Sequence, residues 1–388
     1  MLALEITFWI SAFNIVWAMA GYPAFLTFID KALKIPDNPK DKSLEPTVTV
    51  MVVAHNEEKV IKDKLNNLLK LDYPKDKLSI VVASDFCTDS TNEIVEQFII
   101  DHPDRKISIH KSEKHFGKTN AQNETQKAVA SEILVMTDAN AMLETNAIRE
   151  LVSSFTSPDI VYVSGQLKYK NDGDNNTASN EGFYWELDLK CRDVESKIQT
   201  ITAGNGALYA VRNMEYVDIP PIECHDSSFP RIFALHNKRA IYNRDAIAYE
   251  KAGEVNEDEF KRKVRMNREI IKMIMPDPGI LNVFKYRWFS FFYVGHRTCR
   301  YLLWLAHTLA FVVNIPLALK GSAFWKVTMA LQTAFYIVAL IGKSDKNNNK
   351  LVRIVHYYVM TIAAQWKGVI NDITGKSKPV WDKAESTR

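Results

Sequence analysis

Residues 6–29, ITFWISAFNIVWAMAGYPAFLTFI, carry no charged side chain. As a helix rising about 1.5 Å per residue, this run exceeds a hydrocarbon core of roughly 30 Å. Trp9, Trp17 and Tyr22 suit the membrane interfaces, and Pro23 predicts a kink. A cleaved signal peptide needs a basic start and a small-residue cleavage site, whereas the chain begins MLALE and the run is too long. Lys31, Lys34, Lys40 and Lys42 follow the run. Positive charge marks the cytoplasmic side, so the expected protein is integral to the cell membrane, with the segment after the first helix in the cytoplasm.

The far end repeats the pattern. Residues 301–319 and 323–342 are two further spanning candidates, with Lys326 near one end of the second. Residues 281–300 mix aromatics with Lys285, Arg287, His296 and Arg300, which suits a helix lying in the interface. Residues 351–370 are interrupted by Arg353, His356, Gln365 and Lys367, favouring an interfacial or re-entrant helix over a fourth span. The basic loop 343–350 belongs in the cytoplasm.

Between these ends the texture changes. Short β-branched runs at 47–54, 78–84, 106–110 and 132–137 alternate with helical patterns at 57–71, 89–100, 119–130 and 144–155. Such alternation predicts βαβ units and a mostly parallel sheet, whose ligands bind beyond the carboxyl ends of the strands. The expected organisation is a membrane helix at 1–30 and an α/β domain at 45–275. An interfacial helix at 279–300 follows, then two membrane helices at 301–342. An interfacial or membrane helix with a cytoplasmic tail closes the chain at 351–388.

Composition narrows the function. A net charge of +3, with no concentrated basic helix, speaks against a nucleic-acid partner. Cys87, Cys191, Cys224 and Cys299 form no CxxC pair, so neither a structural zinc site nor a disulfide framework is indicated. The first strand is followed by HNEE rather than GxGxxG, which disfavours a dinucleotide oxidoreductase. Acids stand at the strand ends instead: Asp85 after the second strand and Asp138 at the end of the fourth. A buried acid there is costly unless paired, hydrated or metal-bound. Asp138 and Asn140, spaced i and i+2, offer hard oxygen ligands of the kind Mg2+ and Mn2+ accept; a turn is the plainer reading of that pair taken alone. Asp89 reads as a helix cap.

The ordered motifs resemble the family 2 glycosyltransferases, membrane-attached inverting enzymes that include cellulose and hyaluronan synthase-like members. VTVMVVAHNEEKVI is similar to their first strand and NE turn, and IVVASDFCTDST to their second strand and its aspartate-rich turn. FGKTNAQN resembles the G-K-x-x-A-x-N segment, VMTDAN stands where the family has its DxD, and TAGNGALYAVR resembles the glycine-rich acceptor-side strand. ECHDSSFPRI falls at the E-D motif, EFKRKVRMNRE at the Q-x-x-R-W region of chain-elongating members, and PVWDKAESTR resembles a tryptophan-bearing tail.

The resemblance implies a GT-A fold, a Rossmann-like nucleotide-diphospho-sugar transferase domain with flanking transmembrane and interfacial helices. It implies transfer from a nucleotide-sugar, UDP-linked by expectation, to a glycan or lipid-linked acceptor. Carried over, Ala54, His55, Glu57 and Asp85 hold the nucleoside, and Lys118, Arg262 and Arg265 meet the diphosphate. Asp138 and Asn140 hold Mg2+ or Mn2+, and Asp226 is the catalytic base. His225 occupies the place of the family's glutamate. Met266 replaces the stacking tryptophan, which argues against polymer synthesis without excluding a processive synthase. Gly204 and Gly206 either admit a sugar close to the backbone or form a plain turn. Tyr184, Trp185 and Asp188 begin an amphipathic helix near the membrane surface or in the core. Plainer roles stay open: caps for His55, Glu57 and Asp226, solvated faces for Lys118, Arg262, Lys263 and Arg265. The alternative of another class is a nucleotide-sugar-binding scaffold or sensor without turnover.

Overall fold

The computed structural model describes residues 1–170, 176–251, 256–343 and 349–380; Trp381 and the side chains of Tyr184 and Trp185 lie outside the described residues. Helices Leu2–Val16 (α1) and Tyr22–Leu33 (α2) are joined by one π-helical turn, Trp17–Gly21. That widened turn stands just upstream of Pro23, whose missing N–H cannot continue the helical ladder.

The chain then alternates strand and helix: Val48–Ala54 (β1), Ile61–Leu69 (α3), Leu78–Ser84 (β2), Thr91–Asp101 (α4), Lys106–Lys111 (β3) and Lys118–Gln126 (α5). Ile133–Asp138 (β4), Met142–Leu143 (β5), Ala147–Ser153 (α6), Ile160–Lys170 (β6) and Asn176–Ile198 (α7) follow. Leu208–Arg212 (β7), His225–Leu235 (α8), Arg239–Lys251 (β8) and Asn256–Met266 (α9) complete the domain. β1 lacks polar alternation because both its faces are covered. Val48, Val50 and Val52 cluster with Ile61, Leu65 and Leu68 of α3. Met51 and Val53 cluster with Ala121 of α5 and with Phe229 and Phe233 of α8. Each such buried side chain contributes about 1.5–3 kcal/mol.

The eight strands lie in the order β3-β2-β1-β4-β7-β6-β8-β5. β3, β2, β1 and β4 are parallel. β7 runs antiparallel to both β4 and β6, and β5 runs antiparallel to β8, while β6 and β8 are parallel. The sheet is mostly parallel, as expected, with β7 and β5 running against the other six strands. Burial on both faces gives a continuous apolar run whichever way a strand points, so the sequence pattern carried no direction. Strand order reverses between β1 and β4, where Val53 pairs with Asp138. Open α/β sheets bind ligands at such a switch point.

After α9 the path breaks into short helices, Ile270–Ile274 (α10), Val283–Tyr286 (α11), Trp288–Phe292 (α12) and Cys299–Tyr301 (α13), with a π turn at Tyr293–Thr298. A single interfacial helix over 279–300 is not what forms. Phe289, Phe292 and His296 turn inward and are buried, Phe292 clustering with Tyr22 and Leu26 of α2 and with Cys191 and Val194 of α7. Leu303–Lys320 (α14), Ala323–Ile341 (α15) and Lys350–Ile373 (α16) follow. Among the described residues, Leu2–Leu33, Leu303–Lys320 and Ala323–Ile341 are long and apolar enough to cross a membrane. α16 packs on both α15 and α9, joining the apolar helices to the sheet domain.

Candidate active site

β1 and β2 end side by side. The carbonyl of Ala54 accepts from the Asp85 N–H at 2.9 Å, and His55 Nδ1–H donates to the Asp85 carbonyl at 2.6 Å. The Asp85 carboxylate is 1% exposed; its oxygens accept from His115 Nδ1–H at 2.8 Å and the Phe116 N–H at 3.2 Å. The His55 and His115 rings stack with centroids 3.9 Å apart, 10° from parallel. Asp85 thus fixes the 115–116 loop, and the two imidazoles form a flat platform. His55, Asp85 and His115 offer ligand atoms within 4.8 Å of one another. Ring geometry opposes a shared metal there, because a ring-nitrogen lone pair lies in the ring plane and two rings stacked face to face have no common in-plane point. A flat aromatic ligand fits the stacked rings better. Glu57 is buried; its N–H donates to Thr91 Oγ1 at 2.8 Å and its carbonyl accepts from Val60 and Ile61 N–H groups at the entry to α3. Asp89 Oδ1 accepts from the Thr91 N–H at 3.0 Å, the capping role expected of it.

A second group gathers where β4 meets β7. Lys118, the first residue of α5, pairs with Asp138 Oδ1, and its Nζ lies 3.4 Å from the Gly206 carbonyl oxygen. Gly117 before it has φ +92°, and a Cβ there would meet the Pro379 carbonyl oxygen at 2.6 Å, so only glycine fits. A Cβ at Gly206 would stand 3.2 Å from Lys118 Nζ and 3.8 Å from Asp226 Oδ1. Lys118, Asp138 and Asp226 therefore share one small space. Gly206 is the glycine that faces it, whereas Gly204 serves packing: a Cβ there would stand 2.0 Å from the Tyr162 hydroxyl. The Gly204 N–H donates to the Asp226 carbonyl at 2.7 Å and so ties that turn to α8.

Burial raises the Asp226 carboxyl above its ordinary range; Lys118 opposes this and Asp138 adds to it. Burial lowers Lys118, but the Asp138 and Asp226 carboxylates outweigh it and hold the ammonium firmly charged. A carboxylate raised this way is a better proton acceptor than an exposed one. The N-cap of α8 is Cys224, with no side-chain capping bond, so Asp226 is not spent as a cap. His225 is buried against Gln122, Asn123 and Tyr216, and burial, with Lys118, lowers it to about 3. It stays neutral and anchors the turn that carries Asp226.

Asp138, Asn140, Asp226, Arg262 and Arg265 line one cavity of about 1350 Å³; Ala54, His55, Glu57 and Asp85 lie outside its wall. Arg262 forks onto Glu259 at 2.6 and 2.9 Å. Burial, then Arg262 and Arg268, lower Arg265 to about 10. Cations crowded in this way favour a bound anion. Met266 stands in the same wall, 50% exposed. Asp188 on α7 is buried among Arg192, Arg300 and His296; burial pushes its carboxyl up, but Arg300 and Arg192 hold it well below the usual range.

Sequence reasoning missed two residues. Lys64 on α3 is 0% exposed, and its Nζ donates to Thr137 Oγ1 at 2.8 Å and to the Ala141 carbonyl, gripping both flanks of the Asp138–Asn140 turn. Burial lowers it to about 7. In sequence it is one more lysine on an amphipathic helix. His115 was the other, and its place just ahead of FGKTNAQN was the available signal.

Residues 46–265, more than half of the chain, match the family model described as "Glycosyltransferase like family 2". A beta-monoglucosyldiacylglycerol synthase of Synechocystis sp. is 30% identical over 143 residues, covering 37% of this chain and 30% of that protein. A poly-beta-1,6-N-acetyl-D-glucosamine synthase of Staphylococcus epidermidis is 26% identical over 125 residues, covering 32% of this chain and 29% of that protein. The chain spans about a third of the length of the curated relatives it matches. The mannosyltransferase PcManGT from Pyrobaculum calidifontis, solved with GDP-Man and Mn2+, superposes with a TM-score of 0.69 at 22% identity, covering 94% of this chain and 99% of that one. That likeness shows the fold, the GT-A arrangement of the mixed sheet. The chain belongs to the family 2 glycosyltransferases, built on a GT-A domain flanked by apolar helices.

Proposed function

We propose that the protein is a membrane-bound inverting transferase moving a sugar from a UDP-linked nucleotide-sugar to a hydroxyl of a glycan or lipid-linked acceptor, at the cytoplasmic face of the cell membrane. The observation that carries this reading is Asp226, a raised carboxyl that shares one cavity with Asp138 and stands across Gly206 from the Lys118 ammonium paired with Asp138. In this reading the Asp226 carboxylate takes the proton of the acceptor hydroxyl as its oxygen attacks the anomeric carbon. The bond from that carbon to the diphosphate breaks, and the electron pair leaves with the diphosphate. Lys118, Arg262 and Arg265 neutralise it, so no second carboxyl acid is needed, unlike in glycosidases. The His55–His115 platform takes the flat base.

The residues fit a hard divalent cation, Mg2+ or Mn2+. Asp138 and Asn140 bring oxygen atoms to the same cavity, and the Lys118 ammonium already rests on Asp138, marking a place where positive charge is held. When bound, the cation supplies Lewis-acid neutralisation of the leaving group. Asn140 adds no charge, so metal binding is expected to be weak until nucleotide arrives. Relatives named for a diacylglycerol product and for a polysaccharide keep both acceptor classes in view. Met266, with no ring to stack on a sugar, supports single transfer.

The test is a screen of nucleotide-sugars for donor turnover with purified protein, followed by the mass of the product. Asp138→Ala and Asp226→Asn that both keep wild-type turnover would falsify the site assignment. Tight UDP binding with no donor turned over would mark a sensor instead.

A further inference from the structure

The cavity that holds Asp226 does not stop at the sheet domain. It continues between the apolar helices, where its wall includes Ile15 of α1, Leu331 and Phe335 of α15, and Ile354 and Ile362 of α16. On α14 the wall reaches only Leu303 and His307. Beyond that point Ala310, Val313 and Leu317 close against Phe8 and Trp325 in a buried cluster. On that side the space meets this closed cluster. Leu331 and Ile354 belong to its wall and are also 66% and 37% exposed on the helix surface. At these two residues, one on each helix, the wall of the space reaches the outer surface of α15 and α16.

Three polar side chains meet across this space. His307 Nδ1 meets the Tyr336 hydroxyl at 2.9 Å and Nε2 meets the Tyr358 hydroxyl at 2.8 Å, linking α14, α15 and α16 around the space. Polar side chains in an apolar helix bundle are costly and mark a ligand path. The same cavity thus joins aliphatic side chains, the hydroxyl and imidazole groups, Arg262, Arg265 and Asp226.

We infer that the acceptor is a membrane lipid carrying a free hydroxyl on its headgroup. It enters sideways between α15 and α16, leaves its chain against Leu331 and Ile354, and presents its hydroxyl to Asp226. This rests on the transferase reading above. A growing glycan is the poorer occupant, because a saccharide against the aliphatic part of that wall forfeits hydrogen bonds. In the transfer the lipid oxygen forms the new bond to the anomeric carbon, its proton goes to Asp226, and the nucleoside diphosphate leaves with the electron pair of the broken bond.

The experiment uses the full chain in phosphatidylcholine nanodiscs with a diacylglycerol bearing a diazirine near the end of one acyl chain. Photolysis followed by peptide mass spectrometry is expected to concentrate adducts at 331–336 and 354–362. Leu331→Trp, at an exposed position the fold tolerates, is expected to cut that labelling about tenfold, the effect of roughly 1.4 kcal/mol of lost affinity. Ile354→Trp provides a second plug, and unfolding temperature checks that both variants are folded. Adducts spread evenly over the outer faces of α14 and α15, unchanged by either plug, overturn the inference. So does equal labelling by a phosphatidylcholine with the same diazirine chain and no free hydroxyl. Labelling needs no sugar transfer, so concentrated adducts without donor turnover would sink the transferase reading while leaving the lipid site standing.

Discussion

Gly204→Ala tests how tightly the packing core is geared to the catalytic turn. The added methyl would stand 2.0 Å from the Tyr162 hydroxyl, and contacts of this kind do not form below 3.0 Å, so about 1 Å of movement is required. Tyr162 cannot supply it. Its ring is fully buried, stacked on Tyr209 at 5.3 Å and edged by Phe229 at 6.5 Å. The backbone at Gly204 must yield, and it carries the 2.7 Å hydrogen bond to the Asp226 carbonyl. A catalytic group displaced by about 1 Å typically loses on the order of 100-fold in rate. The expected result is a kcat lower by about that factor with the KM for donor nearly unchanged. Tyr162→Phe removes the colliding oxygen and leaves the ring carbon at 2.9 Å, a misfit of a few tenths of an ångström. The double variant should therefore regain roughly a factor of ten over Gly204→Ala alone. Steady-state kinetics of the four proteins decide it. A Gly204→Ala enzyme at wild-type rate, or no rescue by Tyr162→Phe, refutes the gearing.

Asp226→Asn should lower kcat by roughly 10²–10⁴-fold while leaving UDP affinity intact, as read by titration calorimetry. Because burial raises Asp226 and the base must be ionised, wild-type activity should climb with pH along an acid limb lying above the ordinary aspartate range; a flat profile there speaks against it. Lys118→Met frees Asp138, so Mn2+ should bind more tightly without nucleotide, while UDP loses about 1.5–3 kcal/mol of charged hydrogen bonding. Titrations unchanged on both counts would dismiss the pair. Lys64 is lowered from 10.5 to about 7 by burial, so between those values the unfolded chain binds more protons than the folded one. Thermal stability should therefore rise with pH across that window, and Lys64→Met should flatten the rise in differential scanning fluorimetry.

The first half of the sheet was legible because β1, β2 and β4 are apolar runs punctuated by HNEE, an aspartate turn and TDAN. The second half was not. β6 and β8 carry register shifts and pair parallel beside antiparallel neighbours, arrangements that no local pattern records. Asp138 and Asp226 could be singled out because motifs flank them. Lys64 could not, since an amphipathic helix shows which face is apolar but not that a lysine reaches through the core to Thr137. Residues 279–300 were legible only in part, for a related reason. Their mixture of aromatics and cations looks interfacial, yet Phe292 and His296 are claimed by α2 and α7.

At the β4–β7 seam Thr137 faces Leu208, with the chain running in opposite senses on either side. The end of one strand and the start of the other thus meet at a single edge. Everything proposed to hold the donor's nucleoside and metal comes from residues before 141, and the base comes from beyond 220. The division makes the molecule modular. Insertions in the connection through α7 can alter which hydroxyl is offered for attack without moving the residues that read the nucleoside and hold the metal. A lineage built on this seam can change acceptors and keep its donor, provided Gly206 and Lys118 keep the two halves in touch.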